Sequence, residues 1–373
     1  MLSKKLNSFF NPSSIAVIGA SANPMKIGGV IVRMLSEKFK GEIYPVNPKY
    51  SKVFDLKCYS NLRELPRTPE LIVVAIPAKL APFIVEDAGK MGVEAAIIIS
   101  GGFSEIGEKG RILEDELKRV VEKTGIRIIG PNCIGVYDAY SGVDTFFLPE
   151  HRLRRPPKGK ISIISQSGAF VGAILDWASK EKIGISKAIS FGNKIDVDEI
   201  ELIEYLADDP LTDIILLYLE GFKQGRGREF IKKAREASLK KPILVLKGGK
   251  TLTGSRAVIS HTGALAGSYE LYRAAFKQAK IIEAEGFEEL FDMARALQSM
   301  PYSKGSRVLV LTNAGGMGVM AADALEKLGL KIPEIPDHIQ HELRKHLPPY
   351  CITKNPIDLT GDVDDERYRV VLE

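Results

Sequence analysis

Short apolar segments rich in β-branched residues recur along this chain, and longer amphipathic stretches separate them. Examples of the apolar segments are Ser14–Ile18, 71–76 and 95–99, and the stretches 27–39 and 108–123 show helical spacing. Strands that are apolar on both faces are typical of parallel sheets covered by helices on each side. This alternation predicts a doubly wound α/β architecture.

The length and two irregular segments predict the domain organisation. A chain of 373 residues is too long for a single core. A Pro/Arg-rich segment at 150–158 has the composition of a solvated linker, and 303–305 marks a second boundary. We therefore predict domains at 1–150, 158–300 and 304–373. The third is short for a doubly wound domain and is expected to be incomplete.

Composition narrows the classes of function. The formal charge of +5 favours small anionic ligands over nucleic acid. The three cysteines show neither a pairing motif nor metal-ligand spacing, so we expect no metal site and a reducing, cytoplasmic location. No apolar run has membrane-spanning length, and the N-terminus lacks the apolar stretch of a signal peptide, so we expect no membrane association.

A glycine loop follows the first predicted strand, at Gly19-Ala20-Ser21-Ala22-Asn23-Pro24. Such a loop before a helix is typical of a phosphate-binding turn. It departs from the GxGxxG dinucleotide pattern, because Ser21 and Pro24 replace the second and third glycines. The second strand is followed by Lys49, where an NAD site needs an acidic residue. Lysine suits a phosphorylated ribose, as in NADP or the 3′-phosphoadenosine end of coenzyme A.

The later strands of the first domain also end in candidate binding loops. These loops contain Ile76-Pro77, Ser100-Gly101 and Asn132-Cys133, each at the carboxyl end of a predicted parallel strand. Ligands of open α/β sheets bind at that edge. Each Gly or Pro is also compatible with a simple tight turn. Asn132 is the strongest candidate, because its amide offers both donors and an acceptor.

The second domain contains features suited to phosphoryl transfer. Ser165-Gln166-Ser167-Gly168 opens a helix and is compatible either with an anion nest or with plain N-capping. His261 lies among small residues at a predicted helix start, after a glycine- and lysine-rich loop, so it either accepts a phosphoryl group or merely begins a helix. Glu220 ends an apolar strand, where a carboxylate either hydrogen-bonds an imidazole nitrogen or simply faces water at the rim of the sheet. Asn193 and Asp196 are weaker candidates.

The ordered set of motifs resembles the α-subunit of ADP-forming acyl-CoA synthetases (ADP-forming acetate–CoA ligase), relatives of succinyl-CoA synthetase. The resemblance extends over essentially the whole chain. The motifs that carry it are Ser14 to Ser21, Tyr44-Pro45-Val46-Asn47-Pro48, Gly130-Pro131-Asn132-Cys133-Ile134-Gly135, Ser165-Gln166-Ser167-Gly168-Ala169, Ser260-His261-Thr262-Gly263, Asn313-Ala314-Gly315-Gly316 and Asn355-Pro356-Ile357-Asp358.

The resemblance implies a Rossmann-like CoA-binding domain followed by flavodoxin-like domains. It also implies a reversible reaction, acyl-CoA + ADP + phosphate ⇌ acid + CoA + ATP, through an acyl phosphate and a phosphohistidine at His261. Glu220 would orient the imidazole, and Ser165, Gln166, Ser167 and Gly168 would bind phosphate. The residues implied in CoA binding are Gly19, Ala20, Ser21, Lys26, Val46, Asn47, Lys49, Ile76, Pro77, Ser100, Gly101, Asn132 and Cys133.

The family binds its nucleotide in an ATP-grasp domain, and this chain contains no segment that resembles one. We therefore expect an ATP-grasp β-subunit as partner, with ADP or ATP and Mg²⁺ bound mainly there, in a heterotetramer. Two alternatives remain. One is a CoA-binding regulatory protein without catalysis, against which His261 and Glu220 argue. The other is an NADP-dependent dehydrogenase, which Ser21 and Pro24 disfavour.

Overall fold

A computed structural model of the chain describes residues 6–256, 268–301 and 303–373. The chain divides into two compact units, Met1–Ser299 and Met300–Glu373. The larger unit contains two parallel-stranded sheets, and the smaller unit contains a two-stranded sheet with helices. The predicted α/β fold class is confirmed. The three-domain division of the sequence stays a prediction.

The first sheet consists of five parallel strands in the order β2-β1-β5-β6-β7. Its first strand is buried at every residue, as expected for a strand covered by helices on both faces. In chain order this part of the unit comprises β1 (Ser14–Ile18), α1 (Ile27–Lys38), β2 (Glu42–Val46), the hairpin strands β3 (Lys52–Val53) and β4 (Leu56–Lys57), β5 (Leu71–Val74), α2 (Ala81–Lys90), β6 (Ala95–Ile98), α3 (Glu108–Thr124) and β7 (Arg127–Ile129).

The second sheet has six strands in the order β13-β12-β11-β9-β10-β8. All neighbours are parallel except β8, which pairs antiparallel with β10 at one edge. Its elements are β8 (Gly135–Asp138), β9 (Lys158–Ser165), α4 (Gly168–Lys180), β10 (Ile185–Ser190), α5 (Glu199–Asp208), β11 (Ile214–Leu219), α6 (Gly227–Ser238), β12 (Ile243–Lys247), α7 (Tyr269–Gln278), β13 (Ile282–Ala284) and α8 (Phe287–Ser299).

The two sheets of the larger unit share one apolar core. A single buried cluster contains Ile15 and Ile97 from the first sheet and Ile189 and Leu217 from the second. Burial of such side chains contributes roughly 1.5–3 kcal/mol each. Strand β8 adds to this continuity, because it precedes the predicted boundary at 150–158 but pairs with the second sheet. The carboxyl-end loops of both sheets therefore belong to one compact body.

The segment predicted as a solvated linker is partly buried. The guanidinium of Arg155 forms an ion pair with Asp144, at 2.7 Å between Nε and Oδ2, and both side chains are 1% exposed. Arg155 also donates a 3.0 Å hydrogen bond to the carbonyl of Leu148. The prediction was wrong for this residue because the buried carboxylate of Asp144, eleven positions upstream, forms an ion pair with the guanidinium and so stabilises it away from solvent.

The smaller unit pairs β14 (Leu311–Thr312) with β15 (Ile357–Asp358) in parallel. Its helices are α9 (Gly315–Lys327), α10 (Asp337–His346) and α11 (Asp365–Leu372). Its core contains Leu343, Leu347, Ile357 and Leu359. The strand predicted at 307–311 pairs only at its two ends, where Arg307 forms an isolated parallel bridge with Lys331 and Leu311 belongs to β14.

Among the described residues, no helix combines the length and apolarity needed to cross a membrane.

Candidate functional site

The turn after β1 brings two backbone segments together at the carboxyl edge of the first sheet. Gly19 has a φ of +87°, and a Cβ on it would lie 2.4 Å from the carbonyl oxygen of Ala75. The N–H groups of Gly19 and Ala20 donate to the carbonyl of Val46 at 2.9 and 3.3 Å. Asn47 Nδ2 donates to the carbonyl of Ala20 at 2.7 Å. Gly19, Ala20, Val46 and Asn47, all predicted to bind CoA, therefore form one hydrogen-bonded group.

Helix α1 approaches this turn backbone to backbone, a feature that the sequence analysis missed. A Cβ on Gly28 would lie 2.1 Å from the carbonyl oxygen of Gly19, and one on Gly29 would lie 2.1 Å from that of Asn23. In GxGxxG sites the third glycine serves the same close packing. The signal was present as the pair Gly28-Gly29, displaced into the helix.

The polar residues of this loop differ in exposure, since the Ser21 side chain is buried and Lys26 is exposed. Ser21 Oγ accepts a 3.1 Å hydrogen bond from the N–H of Asn23. Lys26 immediately precedes α1, which has no side-chain cap. Lys26 and Lys49 are both exposed. Two ammonium groups beside an uncapped helix start give this edge a positive potential suited to phosphate.

Hydrogen bonds join the ends of β5, β6 and β7. Ser100 Oγ donates to the carbonyl of Ile76, and the N–H of Asn132 donates to the carbonyl of Ser100 at 3.0 Å. Pro77 is exposed at the start of a short 3-10 helix. Burial raises the pKa of the Cys133 thiol to about 12, so this thiol is neutral and unsuited to nucleophilic attack.

The turn after β9 is held by its own hydroxyl groups. Ser165 Oγ donates to the carbonyl of Ser167 at 2.7 Å and accepts from the N–H of Ser167 at 3.1 Å. Ser167 Oγ then caps α4 by accepting a 3.3 Å hydrogen bond from the N–H of Phe170. Gly168 is the first residue of α4. The N-cap interpretation therefore applies to Ser167, and the first N–H groups of the helix point beyond the turn.

Gln166 connects this turn to Glu220. Its Oε1 accepts hydrogen bonds from the N–H groups of Glu220 and Gly221, at 3.1 and 3.3 Å. On the other side, Lys247 Nζ donates to the carbonyl of Glu220 at 2.7 Å. The Glu220 peptide is thus held from two strands. Burial lowers the pKa of Lys247 to about 8, and burial with the nearby Glu220 carboxylate raises that of Tyr218 to about 12.

A cavity of about 410 Å³ joins the two groups of loops. From the first sheet it is lined by Ser100, Gly101, Asn132 and Cys133, all predicted to bind CoA. From the second sheet it is lined by three residues predicted to bind phosphate, which are Gln166, Ser167 and Gly168. The carboxyl ends of both sheets therefore face the same space.

Asn193 lies between these loops and has a larger role than its sequence context indicated. Its Nδ2 donates to Glu105 Oε2 at 2.7 Å, to Glu114 Oε2 at 3.1 Å and to Ser104 Oγ at 3.2 Å. Its Oδ1 accepts a 3.3 Å hydrogen bond from Asn132 Nδ2. Partners of Asn193 up to 89 positions away cannot be recognised from local patterns.

Asp196, a further predicted residue, is not among the residues that line this cavity. Asp196 forms an ion pair with Arg127, at 2.9 Å between Oδ2 and Nε, and accepts the N–H of Ile128 at 2.8 Å. Its role is to connect the two sheets. His261 lies outside the described residues, as does the helix start predicted around it.

Three family models match the chain in succession. A CoA binding domain matches residues 13–139, a succinyl-CoA ligase like flavodoxin domain matches 158–297, and a ligase-CoA domain matches 308–372.

Curated relatives are identical to the chain at about two fifths of the aligned positions. The acetate–CoA ligase [ADP-forming] I subunit alpha of Pyrococcus furiosus is 43% identical over an alignment of 368 positions, and the match covers 97% of this chain and 78% of that subunit. The subunit alpha of ligase II from the same organism is 42% identical over 97% of this chain and 78% of its own length. The acetate–CoA ligase [ADP-forming] I of Archaeoglobus fulgidus is 43% identical. That match covers 96% of this chain but only 51% of the length of that protein.

A solved structure has the same fold. It is the dinucleotide-forming acetyl-coenzyme A synthetase 1 of Ca. Korarchaeum cryptofilum in complex with phosphate and ADP. It superposes with a TM-score of 0.92 at 41% identity, and the match covers 98% of this chain and 78% of that one. The likeness therefore extends through both units of the fold.

Proposed function

Because this chain belongs to the family of the α-subunits of ADP-forming acetate–CoA ligases, we propose that it is the CoA-binding, phosphohistidine-bearing part of an acyl-CoA synthetase. The reaction is acyl-CoA + ADP + phosphate ⇌ acid + CoA + ATP. The observation that carries this proposal is the shared cavity, which is lined by the predicted CoA loops and the predicted phosphate loop. A thioester and its attacking phosphate need such a common space, since the reacting atoms must approach to about 3–3.5 Å.

The first step forms an acyl phosphate. A phosphate oxygen attacks the thioester carbonyl carbon, the C–S bond breaks, and CoA leaves as a thiolate that takes a proton from solvent. The start of α4, with Ser167 and Gly168, supplies N–H groups and a positive dipole to the phosphate. Ser165 and Gln166 keep this turn in place through their own hydrogen bonds.

The next steps move the phosphoryl group. A ring nitrogen of His261 attacks the phosphorus of the acyl phosphate, and the carboxylate leaves as the free acid. Glu220 accepts the N–H of the other ring nitrogen and stabilises the cationic ring. An ADP oxygen then attacks the phosphorus, which forms ATP and frees His261. Gly248, Gly249 and Gly254 precede this segment and permit the backbone rotation that such a transfer requires.

The nucleotide requires a partner. We assign ADP and ATP to an ATP-grasp β-subunit, in keeping with the name of the α-subunit relatives. Within residues 6–256, 268–301 and 303–373, no cluster of three or more His, Cys, Asp or Glu side chains is arranged to hold a metal ion. Mg²⁺ is bound largely through the phosphates of its nucleotide, so we assign it to the partner together with ADP and ATP.

We also propose a cytoplasmic location. Cys58, Cys133 and Cys351 are free thiols in the structure. Free thiols are maintained in reducing compartments. CoA and ADP as substrates are consistent with the same compartment.

Labelling of the chain by radioactive ATP tests the reaction class. With Mg²⁺ and the ATP-grasp partner, we expect acid-labile, alkali-stable label on this chain, and His261→Ala should abolish it while CoA binding persists. His346→Ala is the matched control, because His346 is a half-exposed residue of α10, and it should retain the label. An unlabelled wild-type chain, with a partner shown to bind both it and ATP, would favour the regulatory CoA-binding alternative.

A further inference from the structure

Two carboxylates behind the cavity wall orient the amide of Asn193. Its Nδ2 lies 2.7 Å from Glu105 Oε2 and 3.1 Å from Glu114 Oε2. An ionised carboxylate only accepts hydrogen bonds, so Asn193 must turn its NH₂ group toward this pair. Its Oδ1 consequently faces away from them, toward Asn132. The chemistry of the neighbours thus fixes which way this amide points.

The ionised state of Glu105 is supported by its surroundings. Burial alone would raise the pKa of this carboxyl, but hydrogen bonds from Asn193 and from the N–H groups of Gly102 and Phe103 outweigh burial and lower it. Glu105 Oε1 accepts both of these N–H groups. Glu114 is buried on α3 and lies 3.5 Å from the ammonium of Lys118.

The orientation passes from the first amide to a second. Asn132 Nδ2 donates to Asn193 Oδ1 at 3.3 Å, so Asn132 Oδ1 is turned away from Asn193. A Cβ on Gly101 would lie 3.2 Å from this oxygen. The missing side chain of Gly101 leaves the oxygen open. In the described part of the chain, no group donates a hydrogen bond to Asn132 Oδ1. Asn132 and Gly101 both line the cavity.

The part of the cavity lining that α4 contributes has the reverse polarity. Gly168 and Ala169 line the same cavity at the start of α4. The first N–H groups of a helix have no partner within it, and Ser167 caps the N–H of Phe170. One part of the cavity lining therefore presents a hydrogen-bond acceptor and another presents donors.

We propose that Asn132 Oδ1 accepts a hydrogen bond from the pantetheine arm of CoA, from an amide N–H or the thiol S–H, and that Asn193 is a positioning residue that holds this acceptor in place. The inference rests on the proposed function, since it requires that CoA binds in this cavity. It assigns the two substrates to different parts of the cavity lining, the thioester to Asn132 and the phosphate to the start of α4. A phosphate oxygen is repelled at Asn132 and accepted at α4, so the cavity orders the thioester and its attacking phosphate by hydrogen-bond polarity.

Calorimetric titration of the chain with CoA and with desulfo-CoA, which lacks the thiol, tests the acceptor. Asn193→Leu and Glu105→Gln remove or relax the orientation of Asn132. Each should weaken CoA binding about three- to tenfold, the value of one hydrogen bond. In the assembly with the partner, KM for CoA should rise while KM for phosphate stays unchanged. An equal loss for both ligands assigns the donor to an amide N–H, and a loss for CoA alone assigns it to the thiol.

Asn193→Asp separates positioning from a merely structural role. At high pH the new carboxylate faces Glu105 and Glu114, with Lys118 as the nearby cation, and CoA binding should be weak. As the pH falls, the new carboxyl group takes up a proton and donates to Glu105 as the amide did. Affinity for CoA should therefore recover toward the wild-type value at lower pH, whereas Asn193→Leu should show no recovery.

Two further variants complete the test, one as a control and one that blocks the proposed acceptor directly. Glu122→Gln makes the same chemical change at an exposed position of α3 and should leave CoA binding unchanged. Gly101→Ala, at a residue outside the left-handed region, would place a Cβ 3.2 Å from the Asn132 oxygen and 3.2 Å from Glu105 Oε1, so it crowds both the acceptor and the carboxylate that orients Asn193. Unchanged affinity for CoA in Gly101→Ala, Asn193→Leu and Glu105→Gln would overturn the inference. Failure of the wild-type chain to bind CoA would instead count against the proposed function.

Discussion

The turn after β1 and the turn after β9 both lead from a parallel strand into a helix, but they are stabilised in different ways. The first depends on missing side chains, since Gly19 and Gly28 bring backbone atoms into contact and α1 starts without a cap. The second depends on hydroxyl groups, since Ser165 and Ser167 bond to the turn and to the start of α4. A steric requirement fails abruptly when it is violated, whereas the loss of a hydrogen bond has a graded cost.

Gly28→Ala should break the first turn. The added Cβ would lie 2.1 Å from the Gly19 carbonyl oxygen, which is backbone and cannot rotate away. Overpacking of this kind costs about 1–3 kcal/mol or more in the free energy of unfolding, which urea denaturation measures.

Gly172→Ala is the control for this substitution. Gly172 lies inside α4, and the nearest atom to its added Cβ is 4.0 Å away, at Leu153. Replacement of a helical glycine by alanine should stabilise the protein by roughly 0.5–1 kcal/mol. A similar loss of stability in both variants would contradict the steric explanation.

Ser167→Ala, in the second turn, should lower the free energy of unfolding by a smaller amount than Gly28→Ala. It removes the 3.3 Å cap on the N–H of Phe170, and loss of such a cap costs about 1 kcal/mol. Ser167→Thr keeps the hydroxyl and should restore most of the stability in the same denaturation assay. If the threonine variant is as unstable as the alanine variant, the cap is not the source of the effect.

Lys49→Glu should have the smallest effect, confined to the edge of the first turn. Lys49 is exposed, so its attraction to the 3′-phosphate of CoA is screened by solvent. We expect a loss of CoA affinity of roughly two- to fivefold at low salt, shrinking as salt is added, and a smaller loss for dephospho-CoA. Lys52→Glu, on the neighbouring hairpin, is the matched control and should leave the affinity for both ligands unchanged. Equal losses of affinity for CoA and dephospho-CoA in Lys49→Glu would refute the assignment of Lys49 to the 3′-phosphate.

Local sequence patterns predicted those strands and helices whose bounds are determined by neighbouring residues. The strand Ser14–Ile18 was predicted with its observed bounds, and the start of α3 at residue 108 was also correct. Apolar runs and helical periodicity determine these elements within a few residues. The antiparallel strand β8 escaped prediction, because its direction is decided by pairing with β10, about fifty positions later.

The candidate site shows the same division. Strand-end loops such as Ser100-Gly101 and Asn132-Cys133 were identified because carboxyl ends of parallel strands meet at one edge. The environment of each side chain was not predictable. Only burial shows that the Cys133 thiol is neutral, and only tertiary structure joins Asn193 to Glu105, 88 positions away.

Gln166 makes the turn after β9 and the Glu220 peptide a single mechanical element. Displacement of the turn would break the two hydrogen bonds that Gln166 accepts, so it carries an added cost of about 1–3 kcal/mol. Groups linked in this way show energetic coupling. If phosphate binds at the start of α4 as proposed, we therefore predict that its binding is thermodynamically linked to the placement of the Glu220 backbone, with a reciprocal effect of each on the other.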